Sequence, residues 1–158
     1  MKKIILTSLV AGFMLAFNFD ANAQYKNALG VRVGDAYGIT FKTFLQPNKA
    51  LDFILSIKNR DDFNHSLLTG LYEVHNPING APGLRWYYGG GATLGSLDYK
   101  NDKRDNELYL SIDGVLGLDY KVDGAPLNLS LDYKPAFVLN PYTDLDAEGF
   151  GLSVRITF

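Results

Sequence analysis

Through most of the chain, apolar residues stand at every second position. The plainest run has Phe150, Leu152, Val154, Ile156 and Phe158 apolar, with Gly151, Ser153, Arg155 and Thr157 between them. A period of two places neighbouring side chains on opposite faces of an extended chain, so this run predicts a strand with one apolar and one polar face. The pattern recurs upstream. Leu127, Leu129, Leu131 and Tyr133 alternate with Asn128, Ser130, Asp132 and Lys134. Leu108, Leu110, Ile112, Leu116, Leu118 and Tyr120 alternate with Tyr109, Ser111, Asp113, Gly117, Asp119 and Lys121. Trp86, Tyr88, Ala92 and Leu94 share a face opposite Arg85, Tyr87 and Thr93. Leu68, Tyr72 and Val74 oppose Thr69, Glu73 and His75, while Leu51, Phe53, Leu55 and Ile57 oppose Asp52, Ser56 and Lys58. Tyr37, Ile39 and Phe41 oppose Thr40 and Lys42, and a short first strand sets Leu29, Val31 and Val33 against Gly30 and Arg32. The reading is eight antiparallel strands in an up-and-down order.

The breaks between strands are of two alternating kinds. Gln46-Pro47-Asn48, Asn76 to Gly83 and Asp123-Gly124-Ala125-Pro126 are turns of Pro, Gly and Asn with little charge. Arg60 to His65, Lys100 to Glu107 and Pro141 to Glu148 are polar and acidic, and Gly34-Asp35-Ala36 is the short member of that set. An even strand count with compact turns at one end and charged loops at the other is the arrangement of a transmembrane β-barrel, in which the compact turns are periplasmic. A soluble barrel also alternates. Here, however, the apolar faces are long and dominated by Leu and aromatics, and the segments Leu108 to Tyr120 and Leu127 to Leu139 exceed ordinary soluble strands. Trp86, Tyr88, Tyr120 and Phe158 fall where rings would meet the periplasmic headgroups, and Tyr37 and Tyr99 where they would meet the outer ones.

The beginning of the chain does not alternate. Lys2 and Lys3 precede a mostly apolar stretch from Ile4 to Phe19, and Ala21-Asn22-Ala23 offers small residues at the two positions a signal peptidase reads. Residues 1–23 are therefore expected to be a cleaved signal peptide and residues 24–158 the barrel domain. The 158 residues hold no cysteine, which removes disulfides and a lipidated N-terminal anchor. A formal net charge of −2 without any basic run argues against nucleic acid.

The polar faces carry Arg32, Lys42, Asp52, Lys58, Glu73, Arg85, Asp113, Asp119, Lys121, Asp132, Lys134 and Arg155. Inside a cylinder surrounded by lipid, such charges must pair, because an unpaired one is costly to bury. The expectation is a connected interior ion-pair network that fills the barrel and leaves no diffusion pore, with Gly89, Gly91 and Gly95 making room for Tyr87 and Tyr109.

The terminal alternation of Phe150, Leu152, Val154, Ile156 and Phe158 is similar to the C-terminal signal by which bacterial outer-membrane proteins are recognised for insertion. Over residues 24–158 the chain resembles the small eight-stranded barrels of the OmpA-transmembrane-domain and OmpX type. That resemblance implies an outer-membrane location, contact with membrane lipids, lipopolysaccharide and the outer-membrane assembly machinery, and a monomer without a cofactor. Its function would be structural, or surface interaction through the charged loops.

Few groups suggest chemistry. Glu73 and His75 lie two apart on one polar face, as a carboxylate–imidazole pair for acid–base work or metal binding. They are the weak catalytic candidates for a lipid-modifying enzyme, the alternative to a non-enzymatic barrel, with a narrow channel as a further alternative. The His/Ser/Glu set of the outer-membrane lipid A deacylase is not reproduced, because His65 and Ser66 are adjacent and point to opposite faces. Gly89-Gly90-Gly91 lacks the spacing of a nucleotide loop. Asp102, Asp105 and Glu107, and Asp144, Asp146 and Glu148, offer oxygen ligands without calcium-loop spacing and read as a solvated acidic rim.

Overall fold

The computed structural model describes residues 25–59, 63–99 and 107–158. The residues expected to form a signal peptide, and most of the Lys100 to Glu107 loop, lie outside them. Ten strands follow in order: β1 (Asn27–Gly34), β2 (Tyr37–Gln46), β3 (Lys49–Asn59), β4 (Phe63–Pro77), β5 (Leu84–Tyr99), β6 (Glu107–Lys121), β7 (Leu127–Tyr133), β8 (Ala136–Asn140), β9 (Asp144–Asp146) and β10 (Phe150–Thr157). All pairings are antiparallel between neighbours, and β1 pairs with β10, so the sheet closes into an eight-stranded barrel.

Ten strands make eight because the last two barrel strands are each interrupted. β7 and β8 both pair with β6 and are separated by Lys134-Pro135, where proline cannot donate to the ladder. β9 pairs with β8 and β10 with β7, joined through residues 147–149. The hydrogen bond from Lys134 N to Gly149 O spans the two interruptions at 2.8 Å.

Four breaks are shorter than the sequence suggests. β4 begins at Phe63, so His65 lies in a strand, and it continues to Pro77; Glu107 opens β6; and Asp144 to Asp146 are the short strand β9. Polar residues predict loop at these positions because the strands extend past the outer apolar band, where the apolar–polar alternation fades. At the compact end, Gly124 has φ 68°, a left-handed conformation that a side chain would strain.

Register shows how the barrel is sheared. Following directly paired partners from Leu110 leads through Leu94, Leu68, Leu55, Ile39, Val31, Val154 and Leu129 to Tyr120, ten residues further along the strand of origin. A stagger of this size tilts the strands by roughly 35–45° to the axis. Every residue of this circuit is apolar. Leu94, Leu68, Leu55, Ile39, Val31 and Val154 are 39–60% exposed, so the circuit is a continuous apolar band on the outer wall. Phe150, Leu152 and Phe158 stand on the same outer face, with Trp86, Tyr88 and Tyr120, and the Trp86 and Tyr88 rings stack at 5.5 Å.

The inner face is not uniformly polar. Ile54, Leu71, Tyr87 and Val115 form one buried cluster. Leu97, Tyr109 and Val138 form another towards the charged-loop end, and Tyr25, Ala28, Phe44 and Ala50 a third near the compact turns. The inward room for Tyr87 comes from Gly117, its direct partner across β5 and β6, where a Cβ would meet the ring. Gly89 and Gly91 do not provide it, since a Cβ at either would strike β4 backbone.

The outer band yields a direct expectation. Leu55→Arg, at a position 60% exposed on that band, will destabilise the barrel in lipid by about 2–4 kcal/mol, measured by urea unfolding from vesicles. The inward substitution Gly117→Val will destabilise it independently of lipid thickness, because it displaces Tyr87.

Candidate functional site

The barrel interior is the site. All eight barrel strands send a side chain into one polar layer: Arg32 from β1, Lys42 from β2, Asp52 from β3, Glu73 from β4, Tyr87 from β5, Asp119 from β6, Asp132 from β7 and Arg155 from β10. Each of these side chains is buried. Alternation directs them inward, and register brings residues far apart in sequence within bonding distance.

Two guanidinium groups and one ammonium organise the layer. Arg32 makes a forked pair with Asp132, Nη1 donating to Oδ2 at 2.8 Å and Nη2 to Oδ1 at 2.5 Å. Arg155 donates to Asp52 at 2.7 Å, to Thr40 at 3.0 Å and to Ser130 at 2.7 Å. Lys42 Nζ lies 2.7 Å from Glu73 and 3.7 Å from both Asp52 and Asp119, with the Tyr87 ring beneath it at 4.4 Å. Three cations thus face four carboxylates. Neutral donors supply the difference: Thr40 donates to Asp52, Asn128 and Tyr25 to Asp119, and Tyr87 to Asp132. In this low-dielectric setting each such bond counts for more than at a surface.

Glu73 and His75 do meet. His75 Nε2 lies 2.9 Å from Glu73 Oε2, and an ionised Glu73 requires the ring proton on Nε2. The same carboxylate oxygen also receives Lys42. The imidazole stacks on Tyr87 at 4.8 Å and tilts against Phe44 at 4.9 Å, and both Glu73 and His75 are 1% exposed. The pair is enclosed within the barrel.

The remaining sequence-selected charges divide. Asp113 accepts hydrogen bonds from Thr93 and Ser111 and lies 3.5 Å from Lys134. Lys58 bridges Asp35 at 2.6 Å and Asp146 at 2.9 Å, tying β3 to the first loop and to β9. Arg85 and Lys121, expected in the interior network, stand apart from it. Arg85 donates to the Pro47 carbonyl at 3.3 Å, and Lys121 to the carbonyls of Val122 and Ala125. They sit at the turn end, where backbone carbonyls are nearer than carboxylates. Asp144 and Asp146 cap the backbone amides of Leu145 and Glu148, and Asp102 and Asp105 lie outside the described residues.

Sequence reasoning missed the neutral members of the layer. Thr40, Asn128, Ser130 and Tyr25 satisfy the charges, yet only their inward parity marks the first three, and Tyr25 precedes β1 altogether. Among the described residues, cavities flank the layer at both ends. One of about 50 Å³ lies at the charged-loop end beside Arg32, Lys58 and Tyr109, and one of about 510 Å³ lies at the compact-turn end beside Tyr25, Arg85 and Asp119.

Closed shear, an apolar outer band and a charged inner layer together define the fold of a small eight-stranded outer-membrane β-barrel. The N-terminal β-barrel domain of Pseudomonas aeruginosa OprF is similar, with a TM-score of 0.66 at 16% identity, covering 85% of this chain and 100% of that one. Neisserial surface protein A (NspA) is similar with a TM-score of 0.60 at 11% identity, covering 84% of this chain and 93% of that one. No protein-family model and no curated protein matches the sequence. At these identities the likeness is one of fold.

Removing one partner of the layer leaves a buried charge uncompensated. Lys42→Met will cost about 3–5 kcal/mol in urea unfolding, because Glu73, Asp52 and Asp119 then face one another. The double variant Lys42→Met with Glu73→Gln will recover a substantial part of that loss. Tyr87→Phe will cost roughly 1–3 kcal/mol by withdrawing a donor from Asp132.

Proposed function

We propose that the protein is a non-enzymatic integral outer-membrane barrel whose packed polar interior makes it a closed scaffold, holding its charged loops at the cell surface. The observation that carries this reading is the layer to which every barrel strand contributes, with Lys42, Glu73, Asp52 and Arg155 joined across the lumen. A solute crossing the barrel would have to break several buried ion pairs at once. The likeness of fold to OprF and NspA supports an outer-membrane location. In that setting the apolar band contacts lipid, and the acidic loops border lipopolysaccharide. The assembly machinery would receive the chain as a monomer after removal of residues 1–23.

An enzymatic reading would need substrate to reach His75. The ring is enclosed by Phe44 and Tyr87 and bonded to a carboxylate already held by Lys42, which leaves no space for an ester carbonyl. Its chemistry is that of a structural hydrogen bond.

Two measurements on the refolded protein test the reading. Heat-modifiable gel mobility should accompany the absence of discrete conductance in planar bilayers, and reproducible unitary steps would overturn the closed interior. Incubation with lipid A and phospholipids should release no fatty acid; turnover abolished by His75→Ala would overturn the non-enzymatic assignment.

A further inference from the structure

The larger cavity is left unused by the interior network, and its charges are arranged in an unexpected way. We propose that it is an oxyanion-binding site. Arg85 and Lys121 would hold a phosphate-class group, and the apolar wall would take the organic part of the ligand. The cavity has a volume of about 510 Å³, which falls in the range of about 300–1,000 Å³ typical of small-molecule sites. Ile78, Leu84 and Val122 supply its apolar lining, and Tyr25 and Asp119 lie on the side facing the network.

Arg85 and Asp119 are direct cross-strand partners between β5 and β6. Opposite charges so placed ordinarily join, yet these two do not. The Asp119 carboxylate is committed to the barrel interior, accepting from Asn128 at 2.9 Å and Tyr25 at 3.3 Å, with Lys42 at 3.7 Å. The Arg85 guanidinium turns away, passing 5.8 Å from the Phe44 ring centroid to donate one bond, at 3.3 Å, to the Pro47 carbonyl. A guanidinium carries five N–H donors in a planar fork, and its matching partner is an oxyanion that accepts two of them. Lys121, the inward residue two positions beyond Asp119, is held by two carbonyls. Among the described residues neither cation makes an ion pair. The cavity therefore sets two cations, neither in an ion pair, beside apolar surface. Asp123 also lines it, and the Asp119 carboxylate is engaged by Asn128, Tyr25 and Lys42, so the Arg85 fork is the group left to meet an oxyanion.

At the periplasmic end such an anion has two sources, a free phosphate or the headgroup of an inner-leaflet phospholipid. Trp86 and Tyr88, outward on the same strand, lie next to the level at which headgroups would sit.

The test uses the full barrel, labelled with 15N-arginine and held in an uncharged sugar detergent. Inorganic phosphate and short-chain phosphatidylglycerol are titrated separately, reading the Arg85 Nε–Hε resonance and the calorimetric affinity. A saturable shift with phosphate supports a free-anion site, and one with phosphatidylglycerol alone supports a headgroup site. Arg85→Gln, checked for heat-modifiable mobility, is expected to weaken binding about tenfold, the loss of one charge-assisted contact. A wild-type resonance insensitive to both probes at millimolar concentration overturns the proposal without reference to any variant. Unchanged affinity in folded Arg85→Gln overturns it as well.

Discussion

A charge inside a cylinder wrapped in lipid has no water to fall back on, and this single constraint orders the rest of the structure. Lys42 must find carboxylates, and it finds three from three different strands. Two of those carboxylates, and Asp132 beside them, also draw on neutral donors: Thr40 donates to Asp52, Tyr25 and Asn128 to Asp119, and Tyr87 to Asp132. Each such requirement fixes a register. A strand slipped by one residue would turn its charges to lipid and its leucines inward, so packing and pairing enforce the same alignment.

The layer also explains where apolar side chains are tolerated inside. Ile54, Leu71 and Val115 pack with Tyr87, and Phe44 and Ala50 lie with Tyr25 on the turn side of Lys42. These groups exclude solvent around the ion pairs, which strengthens the pairs and makes an unfilled partner more damaging. Charged and apolar groups thus alternate along the barrel interior.

Much of this could be read from the sequence, because period-two alternation is a direct record of which face a residue occupies. Arg32, Lys42, Asp52, Glu73, Asp132 and Arg155 were identifiable as inward by parity alone, and so was the proximity of Glu73 to His75. Partner choice was not legible. That Arg155 reaches Asp52 while Arg32 reaches Asp132 depends on the stagger of the closed sheet, which no local pattern encodes. Ile54, Leu71 and Val115 are apolar at inward parity, so their position marked the inner face while their polarity pointed to the outer one. The interruptions at Pro135 and residues 147–149 were likewise hidden, since two broken strands read locally as one strand and one loop.

The pairing of β1 with β10 has a consequence in time. Arg155 lies 103 residues beyond Asp52, and Arg32 lies 100 residues before Asp132. Until β10 takes its place, Asp52 has no guanidinium, and the incomplete sheet has two open edges. The intermediate that precedes closure must therefore keep its polar face hydrated or sheltered by another protein. Burial of the charges and sealing of the seam become one event, so a partly inserted chain gains little of the final stability and the last strand to dock commits the whole barrel.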